Sequence, residues 1–567
     1  MPRILFDDFK GGRNTLDSVN KIKNNQSPDA ENCWVENNAL TQRRGFTSTA
    51  ITISSLSVIP QQLAATQLAA SSLLRLAFIG RVTAHSQRYL GYTDNGSSFS
   101  FAAYRAGTCS TAGSSTTITG ASTAWANNVA VGDYFIPSGG AANRITAVNS
   151  DTDITVTTAV NLGAGTAYQI IQKITQNTRP AAMALFDVSG AQNLYITDGA
   201  RSYRYDGTDV FRTDTTDSMP AGYILVPFKN YLFILGHNNT DIRWCDLKDP
   251  TSWPSANAQT ITNVGDPIRG AIVYADSIVI FTRGKMYRFM GDVFDPSNAT
   301  YVLESIAVPS DFSFTYSRSP VIHQGILKFL ATDGFYAYTG GTQITKISKN
   351  IQGDIDGFRR LAFATEVMND GAVGYVWKDR AWWAVPDDAE TPQQQLNTIV
   401  MQDERGGWWK WPTAEYSAAG SFSDFAIARF GTSGSYQLMA GCIQTNQISV
   451  LDSGNQDNGG VSATQIVMLY TTEEVVFDKE VEFVRFFVKM KKQSSGDITV
   501  GFSIDRVAFV SKTIDMDEGV GTVIIKSAPI ARMGKAIRMR ITSTTINVAV
   551  EVYSIEVECN NTIAERI

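Results

Sequence analysis

The chain has 567 residues, with 48 Lys and Arg against 54 Asp and Glu, and its formal charge is −6. This acidic balance excludes a protein that wraps nucleic acid through its phosphates. Charged residues make up 18% of the chain against a typical ~25%, which indicates a surface that is partly covered by partner subunits.

The start of the sequence lacks a signal-peptide pattern, and no apolar run approaches the ~18 residues of a membrane-spanning helix. We therefore expect a chain that is made in the cytosol and stays soluble. The five cysteines are odd in number, far apart and without a CxxC pair, which argues against disulfides and zinc. They are predicted to be buried thiols: Cys33, Cys109, Cys245, Cys442 and Cys559.

The first 50 residues predict an ordered arm rather than a flexible tail. Gly11 and Gly12 permit a turn with positive φ, and Ser27-Pro28-Asp29 opens a turn or a short helix. A hairpin is predicted in which residues 34–35 pair with residues 39–40 across a tight Asn37-Asn38 turn.

From residue 74 to residue 454 the chain repeats a short apolar strand, a polar turn and a second strand that ends in a large apolar residue. From the second ending onward these recur 39 to 63 residues apart, close to the ~40 to 50 residues of a propeller blade. The pattern predicts an all-β fold built on a six- or seven-bladed β-propeller. The seven endings are Tyr92, Tyr205, Trp244, Phe289, Tyr338, Met401 and Val450.

One interval is too long for a blade, because 113 residues separate Tyr92 from Tyr205. Residues 107–173 are nearly free of Lys and Glu and alternate apolar residues with Thr or Ser, which is typical of short antiparallel strands. Removing them leaves 46 residues and restores the period. We therefore predict a small β-barrel or sandwich inserted at a loop.

The helix candidates are residues 351–357 and 358–369, in the 63-residue interval. After a Gly-, Ser- and Asn-rich linker at 453–462, long alternating strands predict a C-terminal β-sandwich. The predicted organisation is an arm at 1–50, a propeller at 51–106 and 174–460, the inserted domain at 107–173 and the sandwich at 461–567.

Catalytic motifs are absent from the sequence, and we predict no catalytic, metal or cofactor site. The three histidines, His85, His237 and His323, lie in separate blades, which favours turn or core-edge roles. Six aspartates suggest the carboxylate pairs of a glycan-cleaving propeller. Most lie beside Gly or Pro at strand ends, which favours turn capping instead: Asp198, Asp206, Asp246, Asp249, Asp333 and Asp387.

Two further groups have a functional and a structural interpretation. A Trp-rich stretch is either a sugar-stacking platform or, as we favour, packing between blades: Trp377, Trp382, Trp383, Trp408, Trp409 and Trp411. Two cationic groups are either nucleic-acid contacts or, as we favour, solvated faces: Gln42-Arg43-Arg44, and Arg485, Lys489, Lys491 and Lys492.

The arm resembles the start of β-propeller proteins of bacteriophage tails, in particular the nozzle or tail tubular proteins of short-tailed phages. In that family a Gly-Gly-x-Asn is followed by a Gln-x-x-x-x-x-Asn stretch and a Gly-x-Leu-x-x-Arg-x-Gly hairpin. Asn38 replaces the first hairpin glycine and can also adopt the left-handed conformation. The matching residues are Gly11, Gly12, Asn14, Gln26, Asn32, Leu40, Arg43 and Gly45.

The resemblance implies a non-enzymatic structural protein of the virion tail, assembled in the host cytoplasm. Its expected form is a homo-oligomeric ring, a hexamer in that family, below the portal and adaptor. It would contact tail fibres and let viral DNA pass without sequence specificity, with no cofactor and no membrane insertion. The alternative is a receptor-binding or glycan-degrading propeller on a virion.

Overall fold

The computed structural model describes residues 2–19, 21–53, 56–66, 68, 75–83, 87–174, 181–188, 190–261, 266–292, 294, 300–362, 372–386, 398–413, 421–430, 434–442, 445–454, 456–458, 463–543 and 550–560. Strands dominate throughout this part of the chain. None of its helices is long and apolar enough to cross a membrane.

The arm forms six strands that join three different sheets. In the predicted hairpin Val35 lies opposite Leu40, and Asn37 and Asn38 have φ angles of 50° and 61°, as a two-residue primed turn requires. The strands are β1 (Arg3–Phe6), β2 (Gly12–Arg13), β3 (Gln26–Ser27), β4 (Cys33–Glu36), β5 (Ala39–Gln42) and β6 (Phe46–Ala50).

The next strands form the first propeller sheet, blade 1, and the inserted module. Blade 1 contains β7 (Thr52–Ile53), β8 (Leu56–Thr66), β9 (Arg75–Val82), β10 (Gln87–Thr93) and β11 (Ser100–Phe101). The module is one six-stranded sheet with a short helix: β12 (Thr108–Ser110), β13 (Ser114–Ala121), α1 (Trp125–Asn128), β14 (Tyr134–Pro137), β15 (Asn143–Ser150), β16 (Asp153–Asn161) and β17 (Tyr168–Ile171). The chain then returns to β10 through β18 (Lys173–Ile174).

Three four-stranded antiparallel sheets follow in order along the chain. Blade 2 has β19 (Ala182–Val188), β20 (Ala191–Thr197), β21 (Ser202–Tyr205) and β22 (Val210–Arg212), and ends with α2 (Thr213–Thr216). Blade 3 has β23 (Ile224–Phe228), β24 (Tyr231–His237), β25 (Asp241–Trp244) and β26 (Ala258–Thr260). Blade 4 has β27 (Ile268–Tyr274), β28 (Ser277–Thr282), β29 (Met286–Met290) and β30 (Val302–Ile306).

The remaining propeller sheets include the predicted helical excursion. Blade 5 has β31 (Val321–His323), β32 (Ile326–Ala331), β33 (Gly334–Tyr338) and β34 (Thr345–Lys346), followed by a 3₁₀ turn (Lys349–Ile351) and α3 (Gln352–Ala362). Blade 6 has β35 (Val373–Trp377), β36 (Arg380–Val385), β37 (Thr398–Gln402) and β38 (Trp408–Trp411). Blade 7 has β39 (Phe422–Ala428), β40 (Gln437–Cys442), β41 (Gln447–Leu451) and, from the arm, β6.

A hydrophobic cluster fills each junction between successive blades. Within the described residues there are seven such junctions, and the last one joins blade 7 to blade 1 through Met439 and Phe78. The sheets therefore close into a ring, and the predicted all-β propeller is confirmed. Six of the seven predicted strand endings lie in the third strand of blades 2 to 7, and Tyr92 lies in β10, the third strand of blade 1 when the two-residue β7 is not counted.

Four blades connect their first and second strands by the same kind of turn. The central residues have positive φ in each of these two-residue loops: Lys229 and Asn230, Ala275 and Asp276, Gln324 and Gly325, and Lys378 and Asp379. Primed turns of this type match the twist of the flanking strands, so short loops hold each blade at the required register.

The strands from Met468 onward form one nine-stranded sheet together with β1, β4 and β5 of the arm. The strand β48 is shared, because its first half pairs with β45 and its second half with β46 and β44. Two short strands, β42 (Gln456–Asn458) and β43 (Ala463–Gln465), precede this sheet and belong to the sheet of blade 7. The C-terminal strands of the nine-stranded sheet are β44 (Met468–Thr471), β45 (Val475–Lys491), β46 (Asp497–Ile504), β47 (Val510–Asp515), β48 (Val523–Ser543) and β49 (Glu551–Asn560).

Two expectations about this region are corrected. The predicted linker is partly a strand, since β42 pairs with β6 and with β43 in the sheet of blade 7. The arm is not a separate unit, since β1 and β5 pair with β49 while β2 and β3 extend blade 6. In both cases the segment forms hydrogen bonds with backbone groups at the edge of a neighbouring strand, which would otherwise be unpaired.

Candidate functional site

The first strands of the blades surround a cavity of about 280 Å³ at the centre of the ring. Six of the seven blades contribute to it through their first strand or the residues that lead into it. The lining residues are Gln62, Leu63, Ala181, Ala182, Met183, Tyr223, Ile224, Leu225, Ile268, Arg269, Ala271, Ile272, Ser317, Arg318, Pro320 and Asp424.

Irregular pairing marks three of these first strands at the level of the cavity. The register shifts between Pro60 and Gln62 in β8, between Ile268 and Gly270 in β27, and between Phe422 and Asp424 in β39. A β-bulge leaves one residue outside the ladder and changes the direction of the strand, and bulges are common beside functional sites. In β27 the residue outside the ladder is Arg269, which lines the cavity.

Asp424 and Arg318 form the charged centre of the cavity. Their side chains are 15% and 19% exposed, and Nη1 of Arg318 lies 3.4 Å from Oδ2 of Asp424. The backbone N–H groups of Leu63 and Phe425 each donate a hydrogen bond of 2.9 Å to this carboxyl group. Burial raises the pKa of Asp424 above its ordinary value, although Arg318 and the two N–H donors oppose that shift.

Two buried polar atoms of the lining residues make no hydrogen bond within the described part of the chain. They are Nε of Arg318, which is a donor, and Oε1 of Gln62, which is an acceptor. The amide nitrogen of Gln62 is satisfied, since it donates to the carbonyl of Ala181. Buried polar groups in proteins are nearly always paired, so these two atoms favour a polar ligand or ordered water in the cavity.

The histidines do not come together. His237 donates from Nδ1 to the carbonyl of Ala221 at 2.8 Å, and His85 lies outside the described residues. His323 donates from Nε2 to the carbonyl of Asp379, and its Nδ1 accepts from Nζ of Lys328 at 2.9 Å. Among the described residues no three His, Cys, Asp or Glu side chains are grouped as a metal site would require.

Three of the six aspartates cap turns, as the sequence predicts. Asp198, Asp206 and Asp249 each accept hydrogen bonds from backbone N–H groups two or three residues later. Asp246 instead accepts from Ser252 and Asn257, and Asp333 from Tyr336. Asp387 lies outside the described residues.

The tryptophans pack inside the protein, as the favoured interpretation predicts. Trp382 and Trp411 meet edge to face at 4.8 Å in the core shared with the C-terminal domain, and Trp383 lies 4.6 Å from Phe335 of blade 5. Trp408 and Trp409 are also buried, while Trp377 is partly buried. A sugar-stacking platform on these indoles is therefore wrong.

The cationic groups are largely engaged within the chain. Gln42 donates to the carbonyl of Ile466, and Arg485 and Lys491 pair with Glu558 and Glu551 on the neighbouring strand. Lys492 donates to the carbonyl of Gly519. Arg44 and Lys489 are exposed on the surface. These residues form a solvated sheet face of mixed charge. Such a face is poorly suited to binding the phosphate backbone of a nucleic acid.

The arm residues that carry the family resemblance have structural contacts. Asn14 donates to Gln26 at 2.8 Å, and Asn32 accepts from Arg43 at 2.7 Å. Leu40 is completely buried, and a Cβ on Gly45 would lie 1.7 Å from the carbonyl oxygen of Gln456. Gly12 has a φ of 66°, and Gly11 packs against Asn25.

The sequence did not reveal the axial cavity. Gln62, Arg318 and Asp424 come from three distant segments, and none belongs to a local motif. The one available signal is an aspartate within the apolar first strand of blade 7, FSDFAIA. The bulges at Gln62 and Asp424 depend on strand pairing and cannot be recognised in the local sequence.

No family model and no curated protein matches this chain. Among solved structures, PorZ, a bacterial surface component of the type-IX secretion system of Porphyromonas gingivalis, is 11% identical, with a TM-score of 0.29 over 63% of this chain and 38% of PorZ. An exo-β-1,3-galactanase of Phanerochaete chrysosporium is 10% identical, with a TM-score of 0.22 over 66% of this chain and 95% of the galactanase. A family 43 arabinoxylan arabinofuranohydrolase of Bacillus subtilis is 9% identical, with a TM-score of 0.21 over 91% and 96% of the two chains.

These findings correct two expectations. The expectation of a structural tail nozzle is corrected, because the structures found include glycoside hydrolases and a secretion-system component and none of those named here is a tail nozzle. The expectation of a non-enzymatic protein is corrected for the same reason. TM-scores this low do not identify a substrate or catalytic residues for this chain.

Proposed function

We propose that this chain is a glycan-recognising propeller carried on a virion, and that its axial cavity binds one sugar unit of the glycan. The observation that carries the proposal is the pair of unsatisfied buried atoms, Nε of Arg318 and Oε1 of Gln62, in the same cavity as Asp424. A sugar hydroxyl both donates and accepts hydrogen bonds, so one ring with several hydroxyls satisfies both atoms. Aliphatic lining residues such as Ile272 and Leu225 suit the C–H faces of the ring.

The charge balance of the cavity favours a sugar that carries an anionic group. Arg269 and Arg318 supply two positive charges, and Asp424 is the only carboxylate among the described lining residues. Because guanidinium groups bind carboxylates with charge-assisted hydrogen bonds, an acidic sugar gains more than a neutral one.

We infer that Asp424 is a candidate proton donor for the site. Because burial raises its pKa, a larger fraction of this carboxyl group is protonated near neutral pH than for an exposed aspartate. A protonated carboxyl group can transfer its proton to a glycosidic oxygen, which is the acid step of glycan cleavage. Cleavage also needs a base or nucleophile, so hydrolysis is tested separately from binding.

The virion location rests on the resemblance of the arm to phage tail proteins. That resemblance remains a prediction, as do the expected self-association and the contacts with other tail parts. Detection of this chain in purified phage particles by mass spectrometry tests the location directly.

Binding is tested by calorimetry with tetragalacturonate and 3′-sialyllactose as acidic probes and with maltotetraose and lactose as neutral ones. We expect an acidic probe to bind wild-type protein and to lose at least tenfold in affinity with Arg318→Gln, which removes a charged hydrogen bond worth ~1.5–3 kcal/mol. The matched control is Arg283→Gln, an exposed arginine outside the cavity. Equal binding by both variants would contradict the proposal.

Hydrolysis is measured by release of reducing sugar from acidic polysaccharides between pH 4 and pH 8. Activity that disappears in Asp424→Asn and persists in Asp311→Asn, an exposed control, supports the acid role. Binding without hydrolysis assigns the chain to receptor recognition. Absence of both from the acidic and neutral panels refutes the proposal.

A further inference from the structure

A second cavity lies at the junction between blade 1 and the inserted module. Its volume is about 420 Å³, larger than that of the axial cavity. The propeller supplies Leu56, Tyr89 and Phe101, and the module supplies Tyr134, Ile136 and Ile171. The turn after β14 forms its edge with three small residues, Gly140, Ala141 and Ala142, all of them exposed.

Three aromatic rings line this cavity together with aliphatic side chains. The ring of Tyr89 meets Phe101 at 5.7 Å and 64° and meets Tyr134 at 6.0 Å and 74°. Tyr89 and Phe101 are nearly covered, at 3% and 5% exposure, so the partly buried ring of Tyr134 is the most accessible of the three. Leu56, Tyr134 and Ile136 are only partly buried, although they are apolar and lie at a domain junction.

Two tyrosine hydroxyl groups, those of Tyr89 and Tyr134, belong to the residues that line this apolar surface. The hydroxyl of Tyr89 donates to Oε1 of Gln87 at 2.7 Å, and its oxygen keeps the capacity to accept a hydrogen bond. No charged residue is among the described residues that line the cavity. A charged or strongly polar ligand is therefore disfavoured, because its lost hydration would not be replaced.

We propose that this junction cavity binds a small planar aromatic molecule with one N–H or O–H donor, such as an indole or a phenol. Its volume exceeds the roughly 150 Å³ of an apolar cavity that accepts benzene, so a bicyclic ring fits. The ring packs against Tyr89, Phe101 and Tyr134, and its donor is accepted by the hydroxyl oxygen of Tyr89. A ligand held by residues of both the propeller and the module also stabilises their junction.

The test uses the full chain and indole, titrated by calorimetry. Wild-type protein is expected to bind indole, and Ala141→Phe is expected to abolish binding by filling the cavity from its exposed edge. The matched control is Ala126→Phe, an exposed alanine of α1 in the same module, which should bind like wild type. Unchanged binding in Ala141→Phe, or no binding by wild-type protein, overturns the proposal.

The hydrogen bond is tested with Tyr89→Phe and with 1-methylindole, which lacks the N–H donor. Loss of one neutral hydrogen bond is worth about twofold to tenfold in affinity. Tyr89→Phe should therefore lower the affinity for indole by that factor and leave the affinity for 1-methylindole unchanged. A crystal structure with indole provides an independent readout, since density outside the junction would refute the site even if Ala141→Phe failed to fold.

Discussion

At the residue scale, a single arginine connects the arm to the strand β42. Arg43 donates to Asn32 in the arm and forms a bidentate pair with Asp457 of β42, with Nη1 2.8 Å from Oδ1. Both charged side chains are almost fully buried, at 2% and 0% exposure. Removal of one partner from such a pair leaves a buried charge without compensation.

We expect Arg43→Met to lower the free energy of unfolding by ~3–5 kcal/mol. Chemical denaturation measures this change, and Arg44→Met, at the exposed neighbouring position, is the control. The double variant Arg43→Met with Asp457→Leu should lose less than Arg43→Met alone, because no isolated charge remains. A double variant that is as unstable as the single one would show that the lost stability comes from packing instead.

A buried histidine between blades 5 and 6 gives a second prediction at this scale. Burial and the nearby Lys328 ammonium group lower the pKa of His323, whose Nδ1 accepts from Lys328 while its Nε2 donates to Asp379. The folded protein therefore binds fewer protons at this site than the unfolded chain, whose histidine titrates near 6.5. This site makes stability decrease as pH falls below about 6.5.

His323→Gln should show a weaker loss of stability than wild type between pH 7 and pH 5, measured by thermal unfolding. Glutamine can accept from Lys328 but does not gain a proton in this range. His237→Gln is the comparison, since it removes a histidine of another blade. If His323→Gln keeps the wild-type pH dependence, then His323 does not contribute to the acid sensitivity of the fold.

At the element scale, the strand β6 completes blade 7, and the residue before it packs closely against the backbone of β42. A side chain at Gly45, directly before β6, would overlap the backbone of Gln456 at 1.7 Å. We expect Gly45→Ala to cost ~1–3 kcal/mol or more, because the overlapping atoms belong to the backbone. Gly163→Ala is the control, since a Cβ there meets open space, and equal unfolding midpoints for the two variants would contradict this account.

The inserted module leaves and re-enters blade 1 next to the same strand. β11 and β18 both pair with β10, so the module begins and ends near one edge of the sheet. We expect replacement of residues 107–172 by a short Gly-Ser linker to leave a folded propeller, as judged by cooperative unfolding and a single peak in gel filtration. The deletion should also abolish indole binding. Insoluble protein would show that the module supports the ring.

The elements show what the sequence can predict. The strand endings, the arm hairpin and the inserted module follow from alternation and turn residues, which act locally. The linker prediction was wrong because Gln456–Asn458 is polar and short, and it becomes a strand only through pairing with β6. The helix candidate is confirmed over Gln352–Ala362, while residues 363–369 lie outside the described part.

At the scale of the whole molecule, the C-terminal domain is incomplete without the arm. β1, β4 and β5 lie in the same sheet as β49 and β45, and Trp34 and Leu40 belong to its hydrophobic core. We therefore expect a fragment of residues 461–567 to remain unfolded when expressed alone. Circular dichroism and proteolysis test this, with the intact chain as the reference, and a stable protease-resistant fragment would contradict the expectation.

The same scale explains why the axial cavity was not predicted. Propeller closure brings together residues as distant as Gln62, Arg318 and Asp424, whose proximity depends on the number and tilt of the blades. Local patterns determine that blades form, whereas the ring determines which side chains meet at its centre. Function in such a fold depends on the side chains that line the central cavity more than on any single strand.

The pairing of β1 with β49 has a consequence for biosynthesis. Arg3 contacts Glu556 across 553 positions of the chain, so β1 is synthesised long before the strand with which it pairs. Because long-range contacts of this kind slow folding, nascent chains expose unpaired sheet edges, which are prone to aggregation, for much of translation. A truncated mRNA that ends before β49 yields a chain in which β1 has no partner strand. Such a chain keeps an unpaired sheet edge, and we expect cellular proteases to degrade it.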